Sequence, residues 1–173
     1  MNISKLKLYT GFICLTLLLP SFSEAYFTTS QSAIKLNDST VLFTVSYGFG
    51  LKDRDLLMPI YTERTEFSKS EDTLSYSILN QGTTTAYGKT VGVVLTKDED
   101  VKVVDGQYFL PAGQSAEFTL ISLLTLDEEL SDTDLSLLVT HLPFTMVVDE
   151  VSHQNQLNPS ELQYYQTPSI STK

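Results

Sequence analysis

The chain has 173 residues, 11 Lys and Arg against 21 Asp and Glu, a formal net charge of −10 and no tryptophan. Nucleic acid and anionic lipid are bound by clustered Lys and Arg, yet only Arg54 and Arg64 carry guanidinium groups and no basic run occurs. Nucleic-acid binding is therefore excluded as a function class, and one domain of this length can bury a core without disulfides.

The first 25 residues read as a separate object. Lys5 and Lys7 precede the apolar run LYTGFICLTLLLP, and SFSEA then places Ser23 and Ala25 at the −3 and −1 positions of a cut. The run is shorter than the roughly 20 residues a bilayer span needs. Residues 1–25 are thus expected to be a signal peptide, and the product to be secreted or periplasmic without stable membrane insertion after cleavage. Cys14 lies in mid-run rather than at its end, so no lipobox is present. Loss of Lys5, Lys7 and Glu24 leaves 9 basic and 20 acidic residues, a net charge of −11, and no thiol.

Beyond the leader, period two dominates. In VLFTVSYGF the residues Val41, Phe43, Val45, Tyr47 and Phe49 share one face, as they do in a half-buried strand. Pro59, inside LLMPIY, cannot donate to a sheet ladder and suggests an edge strand. TLSYSIL alternates with Leu74, Tyr76 and Ile78 inward. AYGKTVGVVLT repeats the pattern, with Tyr87, Val91, Val93 and Leu95 expected to face the core against Gly88, Thr90, Gly92 and Thr96.

Turn chemistry separates these runs: Asn37-Asp38-Ser39, Asn80-Gln81-Gly82, Lys97-Asp98-Glu99-Asp100, and the two-residue signal Asp105-Gly106 before QYFL. Pro111-Ala112-Gly113 is read as a hairpin corner, because proline presets φ and glycine accepts a positive one. After it Ala116, Phe118 and Leu120 face one way, Glu117 and Thr119 the other. LDEELSDTD reads as a polar loop or a single helical turn. DLSLLVTHL and FTMVV flank Pro143, which marks a break, bulge or edge. Residues 26–151 are taken as one domain, an all-β, immunoglobulin-like antiparallel β-sandwich of seven to nine strands. Residues 152–173 form a polar, partly ordered C-terminal tail, with Leu162, Tyr164 and Tyr165 available to dock.

The segment YFLPAGQSAEFTLISLL, Tyr108–Leu124, resembles the Pro-Ala-Gly corner and following strand of bacterial immunoglobulin-like or fibronectin-type sandwich modules. The other strands match by pattern alone. Without Trp or a mature Cys pair, the resemblance is to the broad class, and it implies an adhesin, spacer or binding scaffold rather than a reaction.

Groups that carry chemistry are few. A Ser-His-Asp relay needs His141 or His153, and no G-x-S-x-G positions a nucleophile. His141 shares strand parity with Leu135, Leu137 and Val139, which favours a structural histidine, and His153 lies in the polar tail. Zinc lacks ligands. Asp98-Glu99-Asp100 and Asp127-Glu128-Glu129 with Asp132 and Asp134 are oxygen-rich loops, but neither matches a calcium-loop spacing, and solvated acidic turns are favoured. Tyr61, Tyr108, Tyr164 and Tyr165 are left as surface rings. The sequon Asn37-Asp38-Ser39 has meaning only in a eukaryotic secretory pathway. No catalytic, cofactor-binding or metal residue is assigned. The expected role is a non-catalytic module for protein–protein interaction or structural spacing. Contacts are expected through edge strands near Pro59 and Pro143 or through the tail. The alternative is a calcium- or carbohydrate-dependent surface-recognition module.

Overall fold

The computed structural model describes residues 28–65, 70–84, 88–127 and 133–171. The expected signal peptide with Cys14 lies outside them, as do Tyr87, Glu128, Glu129 and Asp132. In chain order the strands begin β1 (Thr28–Asn37), β2 (Thr40–Gly50), β3 (Asp55–Pro59), β4 (Thr62–Arg64), β5 (Leu74–Asn80) and β6 (Thr83–Thr84). They continue with β7 (Lys89–Thr96), β8 (Lys102–Val104), β9 (Gln107–Leu110), β10 (Ser115–Thr125), β11 (Asp134–His141), β12 (Pro143–Val148) and β13 (Val151–Gln156). One helical turn, α1 (Pro159–Leu162), precedes β14 (Ile170–Ser171).

The first layer is a four-stranded sheet in the order β1-β2-β10-β7, antiparallel throughout. The second layer is made of two sheets, β13-β12-β3-β9-β8 and β14-β11-β5-β4 with β6 on β5. Only β4 and β5 run parallel among these pairs. The two are joined along the chain, since β3 leads through Ile60–Tyr61 into β4 and β11 leads through Leu142 into β12. One apolar cluster lies between the layers. All five alternating residues of β2, Val41 to Phe49, are buried in it, with Phe118, Leu120 and Leu124 from β10 and Leu56, Tyr76, Ile78, Leu135 and Leu137 from the opposite layer. The all-β, antiparallel class read from the alternation therefore stands. Among the described residues there are fourteen strands rather than seven to nine, because β4, β6, β8 and β14 are two or three residues long and β13, like them, carries no apolar alternation of its own.

The turns behave as their residues dictate. Gln81-Gly82 and Asp105-Gly106 both take positive φ at two successive residues, the type I′ geometry that matches strand twist, and join β5 to β6 and β8 to β9. Ser39 N donates to Asn37 Oδ1 at 2.9 Å in the turn between β1 and β2.

Two expectations are corrected. Pro111-Ala112-Gly113 is sharp, with Gly113 at φ 79°, but it is not a hairpin: β9 belongs to the second layer and β10 to the first, so the chain arches between layers. Local φ values set how tightly a chain turns, not which sheet receives the next strand. Pro59 does not mark an edge, and of break, bulge or edge Pro143 marks the break, where the chain passes from β11 to β12, because β3 lies between β12 and β9, and β12 between β13 and β3. Each proline sits at the end of its strand, where one side has no ladder partner: Pro59 pairs only with Gln107, and Pro143 only with Gln156. In the C-terminal tail, residues 152–171 are ordered, and of the three side chains available to dock Leu162 and Tyr165 do so while Tyr164 is exposed. β13 pairs along β12, and Leu157, Leu162 and Tyr165 are buried in the common core. Thr167 exchanges bonds with Leu137, accepting from its amide at its own Oγ1 (2.9 Å) and donating its own N–H to the Leu137 carbonyl (2.9 Å).

Candidate interaction surface

The first layer hides one face in the core. Its other face is unusually apolar, and β7 is the reason. The ladder sets Leu120 opposite Val94 and Leu124 opposite Thr90, and β10 points Leu120 and Leu124 inward. Thr90, Gly92, Val94 and Thr96 therefore face in, and Val91, Val93 and Leu95 face out, the reverse of the sequence expectation. Val91 is 76% exposed and Leu95 45%. Gly92 explains the choice. A Cβ there would stand 2.5 Å from Thr62 Oγ1 and 2.9 Å from the Tyr76 hydroxyl, so no side chain fits at that inward position. The bulky parity is driven to the other side.

Registers then build rows across the sheet. Ile34, Leu42, Leu123 and Val91, one residue from each strand, stand side by side as a continuous apolar row. The next row is Ser32, Thr44, Ile121 and Val93, with the Ser32 and Thr44 hydroxyls 2.7 Å apart. The third is Ser30, Ser46, Thr119 and Leu95, with Ser46 and Thr119 hydroxyls 2.8 Å apart. By strand parity, and among the described residues, the only ionisable residues on this face are Lys89 at one end and Glu117 towards the other. Sequence reasoning missed this surface, although Leu120-Ile121-Ser122-Leu123-Leu124 carries apolar residues at both parities, the mark of a strand covered on both faces.

The remaining candidates are dispersed. Tyr61 is 70% exposed and walls an open groove of about 610 Å³, whose lining includes Asp72, Asp105, Gln107 and Gln154. Tyr164 is exposed, whereas Tyr108 and Tyr165 are buried, correcting their reading as surface rings. The Tyr108 hydroxyl donates to the Val94 carbonyl at 3.0 Å, bonding the two layers together. Tyr165 packs 5.9 Å from Tyr47, ring centre to ring centre. Both of their hydroxyls are buried with no hydrogen-bond partner among the described residues. Burial raises the Tyr47 hydroxyl far above its ordinary value, with Tyr165 and then Tyr108 adding to the effect. Burial, and after it the Glu161 carboxylate, pushes Tyr165 up to about 12.

His141 lines a second cavity of about 470 Å³ with Thr65, Ser70, Glu71, Ser75 and Thr140. Ser75 is its cross-strand partner, yet the two form no relay. The Ser75 hydroxyl is directed at Glu63 Oε1 (3.4 Å), and His141 Nε2 lies 3.3 Å from the Glu71 carbonyl. His153 is exposed on β13. Asp98 Oδ2 accepts the Glu117 amide at 2.7 Å, a structural use of that acidic turn. Among the described residues no three His, Cys, Asp or Glu side chains gather as a metal site.

No family model and no curated protein matches the chain. Among solved structures it is similar to a crystal structure of the yeast "GGA1_GAE domain-P21", at 9% identity and a TM-score of 0.30, over 84% of this chain and 91% of that one. A likeness that slight carries no argument about this protein.

Proposed function

We propose that this immunoglobulin-like sandwich is a secreted or periplasmic, non-catalytic module that works by protein–protein contact, and that the outer face of the β1-β2-β10-β7 sheet is its contact surface. The observation that carries the reading is the unbroken row Ile34, Leu42, Leu123 and Val91, in which two members are about half or more exposed. Contiguous exposed apolar area of this kind marks interaction sites. No helix among the described residues is long and apolar enough to cross a membrane. The test is a photo-reactive residue at Val93, with a control at Lys102 on β8. A protein adduct at Val93 alone is expected; adducts at neither position, or equally at both, would remove the reading.

A second reading rests on the groove beside Tyr61. An exposed aromatic ring next to the amides of Gln107 and Gln154 and the carboxylates of Asp72 and Asp105 offers a stacking face with planar hydrogen-bonding groups, a chemistry suited to neutral carbohydrate. Saturation-transfer NMR against a panel of neutral oligosaccharides tests it, with signal expected from the native protein and lost in Tyr61→Ala. Equal signal from both proteins would argue against the groove.

A further inference from the structure

The apolar face calls for a covering partner, and we infer that the partner is a second copy of this chain, so that two four-stranded sheets pack face to face about a two-fold axis. This rests on the contact surface proposed above and names its occupant.

Size is the first argument. β2 and β10 are eleven residues long and the sheet has four strands. At ~3.4 Å per residue and ~4.8 Å per strand the face measures roughly 37 by 19 Å, about 700 Å². A standard interface buries about 800 Å² on each partner, so one copy covers the face almost completely.

Shape and symmetry are the second. A two-fold axis parallel to the strands, between β2 and β10, lays each row onto itself, with Leu42 over the second copy's Leu123 and Ile34 over its Val91. In that row apolar meets apolar throughout; in the next, Thr44 and Ser32, whose hydroxyls already bond each other, lie under the second copy's Ile121 and Val93, and in the third Ser46 lies over its Thr119, a self-matching arrangement of the kind an isologous contact requires.

Charge is the third. The protein carries a net charge of −10. Two copies repel over most orientations, but among the described residues this face presents only Lys89 and Glu117, towards its ends, so the one pair of carboxylates brought together is Glu117 with its own copy, away from the apolar row. It also offers a charged partner little to pair with.

Sedimentation of the purified protein across a concentration series tests the inference. A reversible monomer–dimer equilibrium is expected, with a dissociation constant of about 1–100 µM. Val93→Glu and, separately, Leu42→Ser are expected to weaken it at least about tenfold, since each puts a polar group into the covered face, Leu42 beside the axis and Val93 on the flanking strand. Val103→Glu on β8 is expected to leave it unchanged, and unaltered thermal midpoints show that the variants are folded. A monomer at the highest concentrations, or a dimer indifferent to both face variants, overturns the inference. If the protein is monomeric but Val93 still cross-links to a different protein, the contact surface stands and the second copy does not. A monomer with no adduct removes both.

Discussion

At Gly92 the absence of a side chain decides the orientation of a whole strand. Gly92→Ala is expected to destabilise by roughly 1–3 kcal/mol in urea titrations, because the new methyl group meets Thr62 Oγ1 and the Tyr76 hydroxyl below contact distance. An unchanged midpoint would mean that Thr62 turns away at no cost. Tyr47 gives the opposite forecast. Its hydroxyl is buried with no hydrogen-bond partner among the described residues, so Tyr47→Phe is expected to hold or raise stability at neutral pH. Both Tyr47 and Tyr165 have folded-state values above the ordinary 10.0. The fold favours their neutral forms, so this contribution is intact below about pH 10 and is lost as pH rises through the folded values. For Tyr165 that window runs from the ordinary value to about 12. Burial raises Tyr108 as well, so tyrosinate absorbance is expected to show three late-titrating rings coincident with loss of near-ultraviolet dichroism, and two in Tyr47→Phe.

At the scale of elements, the β12–β13 hairpin has an avoidable strain. Asp149 and Glu150 both take positive φ (48° and 66°) without a glycine in the turn. Glu150→Gly is expected to raise stability by about 0.5–1 kcal/mol, the relief of αL strain less the entropy lost by glycine, read as a higher thermal midpoint. The C-terminal segment has a larger effect. Ending the chain at Val151 removes Leu157, Leu162 and Tyr165 from the core, so the truncated protein is expected to lose cooperative unfolding, not to persist as an intact body. Leu162→Ala tests the same packing more gently, with a loss of about 2–3 kcal/mol. This segment was hard to read in the sequence, because SHQNQ has no apolar alternation; β13 is held by its ladder to β12, and backbone bonds leave no mark on residue choice. β2 was fully legible, since its inner face is core and its outer row is half polar. β7 was misread because both of its parities look plausible until Gly92 is seen against Tyr76.

Over the whole molecule, surface charge and the apolar face act in opposite directions. Added salt screens the repulsion between two acidic copies while leaving apolar burial intact. Self-association is therefore expected to tighten between low and high sodium chloride, as followed by sedimentation; weakening with salt would point to an interface built on ion pairs. The two layers are also fastened at their sides. Val94 N donates to the Ile60 carbonyl at 3.2 Å beside β7, and the Gln31 side chain donates to the Tyr164 carbonyl beside β1. With those sides engaged, the broad outer face of the first layer is the larger remaining apolar opportunity.

Alternation of oily and polar residues, with glycine and proline at the corners, was enough to determine that this chain makes strands and roughly where they turn, because those preferences act within a few residues. Which layer receives β10 after its corner, which side β7 shows to water, and whether residues 151–171 belong to the body were decided by tertiary structure. Each depends on ladder register and on what a distant side chain already occupies, and such contacts join residues far apart along the chain.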